Sequence, residues 1–315
     1  MAAQTVDTAS ATVDADTRQF GKNLIRVNSN LVSVPVAITD ATGLGITGLQ
    51  MEDFRLLEDG RPAEISRLID SSHSSLNIAL LFDVSGSVHR TFEFQQNAAV
   101  DFLKKIWKEG DTVTIIPFAE QPDVQLKNGD NLQEAMWTLQ QLRPTGKTTS
   151  FFDTATLAVR LIGQSASEGT RQAIIVLSDG ADNTSSINLA ATLAEMRQRD
   201  TVFYAINPSG ASVVRLNVVS ARGQENLTAL ADATGGRVFV SDYVDDLESI
   251  FGKIVSELRT QYLLLYYSLI QQMDEKFHTI EVSIPNRTGL NIRARPGFLA
   301  IPRQSSPGNA SQQTP

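Results

Sequence analysis

Asn77-Ile78-Ala79-Leu80-Leu81-Phe82 runs directly into Asp83-Val84-Ser85-Gly86-Ser87. The first stretch has the near-continuous apolar character of a strand buried on both faces. The second sets one carboxylate and two hydroxyls at alternate positions where that strand leaves its sheet, so three oxygens share a small arc. Hard divalent cations such as Mg²⁺ take oxygen ligands and usually keep several waters. In open α/β sheets, ligands gather just beyond the carboxyl ends of the strands. Asp83, Ser85 and Ser87 are therefore candidate metal ligands. The competing account is a capping network, because Ser and Asp readily satisfy backbone donors at a strand-to-helix turn.

A second buried-strand run, Ala173-Ile174-Ile175-Val176-Leu177-Ser178, ends in Asp179-Gly180-Ala181-Asp182. Between the two runs lies the polar loop Gly146-Lys147-Thr148-Thr149-Ser150-Phe151-Phe152-Asp153, which opens into a helical stretch, Thr154–Gln164. With these pieces the chain resembles the von Willebrand factor type A domain, whose metal-ion-dependent adhesion site combines Asp-x-Ser-x-Ser with a distant Thr and a distant Asp. The resemblance places the site on Asp83, Ser85, Ser87, Thr149 and Asp179, with Thr148 as the fallback for the threonine. It implies Mg²⁺, or else Mn²⁺ or Ca²⁺, held directly by the hydroxyls and mostly through water by the two carboxylates. Two features depart from the family pattern: Lys147 and Thr148 stand where glycines are usual, and Phe152 stands for the usual Tyr.

The wider motif order narrows the resemblance. Arg26-Val27-Asn28, Val34-Pro35-Val36, Asp53-Phe54 and Glu58-Asp59-Gly60 precede the A-type segment, and Thr234-Gly235-Gly236, Gln261-Tyr262, Tyr266-Tyr267 and Arg293-Ala294-Arg295-Pro296-Gly297-Phe298 come after its strands and helices begin to run out. This is similar to the bacterial VWFA-related family abundant in acidobacteria, over roughly Asn23 to Ile301. It implies an exported protein, whether periplasmic, cell-surface or secreted, whose partners are open.

Composition removes several alternatives. A net charge of −8 argues against a nucleic-acid partner, which needs clustered Lys and Arg. The absence of cysteine excludes disulfides, thiolate metal sites and cysteine nucleophiles. The three histidines, His73, His89 and His278, show no metal-ligand spacing. No run reaches the roughly 18 apolar residues of a membrane span. The polar N-terminus reads equally as an ordinary tail or as a mature start from which a signal peptide was removed.

From Leu76 to about Arg259, strand-like and helix-like segments alternate, which predicts a mostly parallel, doubly wound sheet with helices on both faces. Helices are expected at Thr91–Lys108, Asn131–Leu142, Asn188–Arg199, Glu225–Thr234 and Tyr243–Leu258. Strands are expected at Thr112–Phe118, Asp123–Lys127, Thr201–Ile206 and Arg237–Val240. The flanks read as β structure instead: Asn23–Val27, Asn30–Thr39, Phe54–Glu58 and Ala63–Ile69 before, Tyr262–Ser268, Phe277–Ile284 and Asn291–Arg295 after. Val32, Val34, Val36 and Ile38 recur at the period of a half-buried strand. Neither flank has enough strands to close a core alone, so the expectation is one immunoglobulin-like β-sandwich of seven strands built from both. Residues 1–22 and 303–315 are expected to be disordered tails. Residues 23–72 and 260–302 would form the sandwich, and 73–259 would be inserted in it, much as in integrin β chains.

Other polar residues have plainer readings. Asp182 is expected in an Asx turn, Lys147 on the solvated loop, His89 and Arg90 at a helix start, and Asp111 and Asp130 at turns. Tyr262, Tyr266 and Tyr267 are expected in the sandwich core. The sixteen-residue connection Ser209–Gln224 is long for such a loop and unusually apolar, so it either covers the core or forms an apolar rim beside the cation. The function expected is a protein-binding, adhesion-type module in which an Asp or Glu of a protein partner completes the cation. The oligomeric state stays open. A metal-independent scaffold binding through its sandwich is the alternative, and a metal-dependent hydrolase a more distant one. No His or Glu lies in the site motifs to serve as base, so the chain is not expected to be an enzyme.

Overall fold

The computed structural model describes residues 31–70, 74–86, 92–165, 170–199, 201–243, 246–270 and 274–300. The expected strand Asn23–Val27 and the residues Ser87, His73, His89 and Arg90 lie outside them. The N-terminal flank supplies β1 (Leu31–Thr39), β2 (Arg55–Glu58), β3 (Arg61–Ala63) and β4 (Ile65–Asp70). The middle runs β5 (Leu76–Asp83), α1 (Phe92–Ile106), β6 (Thr112–Phe118), β7 (Leu126–Gly129), α2 (Leu132–Gln141), α3 (Phe151–Ser165) and β8 (Arg171–Leu177). It continues through α4 (Leu189–Arg197), β9 (Thr201–Asn207), α5 (Ala211–Leu216), α6 (Val218–Thr234), β10 (Arg237–Val240) and α7 (Asp246–Thr260). The chain closes with β11 (Tyr262–Tyr267), β12 (Phe277–Ser283), β13 (Asn291–Ala294) and β14 (Gly297–Leu299).

Among the described residues the strands form three sheets. The central one has the order β10-β9-β8-β5-β6-β7 and is parallel except for the β6–β7 edge pair. Every residue of β5 is buried, as its apolar run requires. Period two divides the strand between two cores. Leu76, Ile78, Leu80 and Phe82 pack with α1, α2 and α7, while Ala79 and Leu81 pack with α3, α4 and α6. The chain leaves β5 for β6 on one side and later returns to β8 on the other. The crevice beyond the ends of β5 and β8 is thus the point where strand order reverses, the place where such sheets bind ligands.

Helix ends follow local chemistry. Asn131 caps α2 by accepting from Gln133 N–H (2.8 Å) and Glu134 N–H (3.1 Å), and Asn188 caps α4 by accepting from Ala191 N–H (3.0 Å). Gly235 ends α6 at φ 75°, and a Cβ there would also stand 2.6 Å from the backbone carbon of Ala294. Conformation and close approach both demand glycine at that position.

The strands before β5 pair with those after α7. β1 runs antiparallel to β11 and β13, and β12 antiparallel to β2 and β14. The two resulting four-stranded sheets, β13-β1-β11-β4 and β14-β12-β2-β3, share a core that includes Val32, Val34, Val36, Ile38, Leu56, Tyr262, Leu264, Tyr266 and Phe298. Tyr267 corrects the expectation for the tyrosine set. It follows the alternation of β11 outward and is exposed, whereas Tyr262 and Tyr266 are buried. The described flank strands number eight, and two of them, β3 and β14, are too short for sequence to display.

Two further expectations are corrected. The edge strand is Leu126–Gly129, later than the expected Asp123–Lys127. Asp123 N–H and Gln125 N–H still bond Pro117 O and Ile115 O of β6, each at 3.0 Å, but the register shifts between Val113 and Ile115 and the regular strand begins only at Leu126. The expected loop Ser209–Gln224 is mostly helical: α5 fills its first half, and α6 begins at Val218. Asn217 divides them, its side chain accepting from Val219 N–H (2.9 Å) and Ser220 N–H (3.2 Å). These residues do not cover the core, since Leu216 is 88% and Val218 85% exposed.

Candidate metal centre

Asp83 is the last residue of β5 and is almost completely buried. Its Oδ1 accepts the Ser85 backbone N–H at 2.9 Å, and its Oδ2 accepts the Ser178 hydroxyl at 3.0 Å. Ser178 in turn follows the last residue of β8 and precedes Asp179, whose Oδ1 accepts Ala181 N–H at 3.0 Å. Burial pushes the Asp83 carboxyl above its usual range. The Ser85 and Ser178 hydrogen bonds pull it back, and the charge of Asp179 adds to the upward shift. Among the described residues, neither Asp83 nor Asp179 forms an ion pair with Lys, Arg or His. These two carboxylates at one sheet end thus lack, among the described residues, a cationic counter-charge.

The Thr149 loop reaches the same place through backbone bonds. Thr145 N–H donates to Val84 O at 2.6 Å, just past Asp83, and Ser150 N–H donates to Ala119 O at 2.7 Å. Thr149 is buried and is clamped to the loop after β8: its N–H donates to Asn183 Oδ1 (2.8 Å), and its carbonyl accepts Asn183 N–H (3.0 Å). The neighbouring Thr148 Oγ1 is buried with no hydrogen-bond partner among the described residues. Asp83, Ser85, Thr149 and Asp179 are thus brought to one end of the sheet by three converging loops. Ser87 lies outside the described residues. The donor set consists of carboxylates and hydroxyls alone, which suits a hard divalent cation such as Mg²⁺, Mn²⁺ or Ca²⁺.

The next acidic residues are committed elsewhere. Asp182 Oδ2 accepts Phe152 N–H (3.0 Å) and the Ser185 hydroxyl, capping the start of α3 from outside. Asp153 answers by accepting Ser186 N–H (3.0 Å) and Ile187 N–H (2.9 Å). This exchange locks the Thr149 loop to the Asp179 loop. Lys147 is exposed, and its backbone N–H donates to Glu120 Oε1 at 2.7 Å. Sequence does not single out Ser178, Asn183 or Glu120. The signal for Ser178 is its place directly before Asp179; for the other two there is none.

A different cluster brings Glu58, Asp59 and His278 to within 4.8 Å of one another. Both His278 nitrogens are engaged, Nδ1 with Asp59 Oδ2 (2.7 Å) and Nε2 with Asp274 Oδ1 (2.9 Å). Burial alone would lower the imidazolium, but the bonds to Asp274 and Asp59 outweigh it and the net shift is upward. A ring that donates from both nitrogens keeps no lone pair for a metal. The cluster therefore holds the β2–β3 turn to β12 as an ion-pair clasp.

On the other side of the site, α6 packs backbone to backbone on the Asp179 loop. A Cβ on Gly180 (φ 75°) would stand 2.3 Å from Gly223 O, and one on Gly223 would stand 2.3 Å from Asp179 O. Gly→Ala inside a helix ordinarily gains about 0.5–1 kcal/mol. At Gly223 the clash reverses the sign, and Gly223→Ala is expected to cost about 1–3 kcal/mol as overpacking does. Urea unfolding measures it; an unchanged or higher midpoint would show that α6 can move off the loop freely.

A profile of the von Willebrand factor type A domain matches residues 77–253, more than half of the chain and the whole of this site. The chain belongs to the von Willebrand factor type A domain family. Solved structures agree on the fold. Proximal thread matrix protein 1 from the mussel byssus superposes with TM-score 0.51 at 18% identity, over 64% of this chain and 49% of that one. A second structure of the mussel protein, with a zinc-occupied MIDAS motif, matches with the same score, identity and coverage. An aerotolerance-related membrane protein from Bacteroides fragilis matches at TM-score 0.47 and 18% identity, over 58% of this chain and 98% of that one. The chain spans about half the length of the mussel protein. No curated protein matches the sequence. No helix among the described residues is long and apolar enough to cross a membrane.

Proposed function

We propose that this von Willebrand factor type A chain is a metal-dependent protein-binding module of the adhesion type, and not an enzyme. The observation that carries it is the buried Asp83 carboxylate beside Asp179, hydrogen-bonded by Ser85 and Ser178 and with no ion-pair partner among the described residues. A divalent cation bound there, Mg²⁺, Mn²⁺ or Ca²⁺, supplies an electrophilic centre whose open position an Asp or Glu of a protein partner fills. Ser85, Ser87 and Thr149 would offer neutral oxygens, which would leave that centre positively charged, while Asp83 and Asp179 would supply the balancing negative charge. The zinc-occupied MIDAS motif of the mussel protein supports the general class of site. Glu120, the acidic residue tied to the Thr149 loop, accepts Lys147 N–H, which holds its carboxyl below the usual range and makes it a weaker base, in favour of binding over hydrolysis. An exported location belongs to the same proposal and rests on the whole-chain motif order.

The two flanking sheets support a second part of the proposal, that residues 23–72 and 260–302 form one immunoglobulin-like sandwich around an inserted domain, 73–259. The pairings of β1 with β11 and of β2 with β12 are what favour it.

Two threonines compete for one ligand position, and titration calorimetry with Mn²⁺ decides between them. Thr149→Ala is expected to weaken cation binding at least about tenfold, since one lost ligand contact of about 1.4 kcal/mol is that factor. Thr148→Ala is expected to bind as the wild type does. The reverse pattern would move the ligand to Thr148, and no effect of either would sink the site.

A further inference from the structure

The first turn of α6 and the end of α5 carry a group of apolar side chains that the fold leaves outside. Leu216 is 88%, Val218 85%, Val219 67% and Val213 45% exposed. Isolated exposed apolar residues are ordinary, but a contiguous set marks an interaction surface. Here they border a groove of about 340 Å³ lined by Arg215, Leu216, Val218, Ala221, Arg222 and Glu225. Arg215 and Arg222 are both exposed, and neither forms an ion pair among the described residues. Two guanidinium groups against one carboxylate make the groove locally positive on a chain of net charge −8.

The groove lies on the outer face at the start of the same helix whose inner face packs on the Asp179 loop. Arg222 directly precedes Gly223, whose backbone lies against Asp179 and Gly180, and Asn226 Nδ2 donates to Gly180 O at 3.1 Å. The start of α5 is held by Ala211 N–H donating to Asp242 Oδ1 at 2.6 Å, and α6 is tied to the end of β9 by Asn207 Nδ2 donating to Gln224 Oε1 at 2.9 Å. A surface loop that offers one carboxylate at the end of β8 has to pass over the start of α6 for its next residues to reach this groove.

We propose that the α5–α6 groove is the specificity surface of the module, and that it takes an acidic–apolar protein loop: one carboxylate for the cation, apolar side chains against Leu216 and Val218, and a second carboxylate between Arg215 and Arg222. The inference rests on the metal-dependent reading above, and its charge complement is what selects the occupant. Guanidinium forks suit carboxylates, and arginine is among the residues enriched in interface hot spots.

The test is selection from a displayed library of cyclic peptides, each with one fixed Asp, on the full chain in Mn²⁺. Enriched peptides are expected to carry Leu, Ile, Val or Phe next to the fixed Asp together with a second acidic residue. Synthetic copies of them are expected to bind Leu216→Ser, Val218→Ser and Arg222→Glu at least about tenfold more weakly than the wild type. Mn²⁺ affinity of the same variants should be unchanged, and their exposed positions should leave the fold intact by circular dichroism. Equal binding of the peptides to wild type and variants would overturn the groove while leaving the metal reading in place. Binding that survives EDTA but is lost in Leu216→Ser would keep the groove and remove the cation. A concentration-dependent dimer abolished by Leu216→Ser would assign the groove to a second copy of the chain and so overturn the partner proposed.

Discussion

Asp83→Asn is expected to abolish stabilisation by divalent cations and, in the same protein, to raise the melting temperature measured in EDTA. Both effects follow from one buried charge. The Asp83 carboxyl is held above its usual range, first by burial and further by Asp179, so the metal-free native state binds more protons than the unfolded chain once pH exceeds about 3.8. Stability of the metal-free wild type therefore falls as pH rises from that value through the folded-state pKa, and above it the ionised carboxylate is a standing cost. Asparagine removes the charge, can still accept Ser85 N–H through its Oδ1, and removes that part of the pH dependence. Relief of about 1 kcal/mol corresponds to about 2–4 °C in a domain of this size. The opposite holds with metal. Cations bind the deprotonated form, and at 100 times the dissociation constant the wild type gains about 2.7 kcal/mol, while Asp83→Asn gains nothing. Thermal melts in EDTA and in excess Mg²⁺ or Mn²⁺, at pH 5 and pH 7.5, give all four values. A variant that melts lower in EDTA, or that still responds to cation, contradicts the assignment.

The largest effect on stability is expected at the opposite end of β5. Arg259, at the end of α7, bonds the Ile106 carbonyl, reaches Ser74 O at 3.4 Å and pairs with the fully buried Asp111. Asp111 also accepts Leu76 N–H and Lys108 N–H, each at 2.8 Å. One ion pair thus ties the last helix, the first strand of the central domain and the turn before β6. Arg259→Ala leaves a buried carboxylate without its cation, a change that costs about 3–5 kcal/mol, or roughly 10 °C. Arg259→Lys keeps the charge but loses the fork and should fall between. Replacing both partners, Arg259→Met with Asp111→Leu, should recover most of the loss. Differential scanning calorimetry reads the series. An Arg259→Ala variant melting within about 2 °C of wild type would show that solvent reaches Asp111 and that the joint is not a buried ion pair.

These two sites also show what sequence can and cannot reveal. Asp83 and Asp179 are legible because each stands where an apolar run stops, and a carboxylate at the end of a buried strand is costly unless a cation or a ligand meets it. β5, β6, β8 and β9 are legible for a similar reason: continuous burial writes itself as continuous hydrophobicity. Asp111 looks like a turn residue because its partner stands 148 residues later, and no local pattern records such a distance. Asn183 is silent for a related reason, since it acts by hydrogen bonds between separate loops. The start of α6 escapes sequence because Val218 and Val219 face solvent, which breaks the apolar periodicity that otherwise identifies a helix. Asn217, a strong capping residue between two helical segments, is the available clue. β3 and β14 escape because three residues cannot display a period.

The central claim, a cation held at the ends of β5 and β8, is tested most directly by Mn²⁺ anomalous scattering from crystals of the wild-type chain soaked in MnCl₂. The predicted result is a peak within about 2.1 Å of the Ser85 and Thr149 hydroxyls, beside Asp83 and Asp179, absent from Asp83→Asn crystals. A map with no peak there, or with its strongest peak at Glu58, Asp59 and His278, would contradict it.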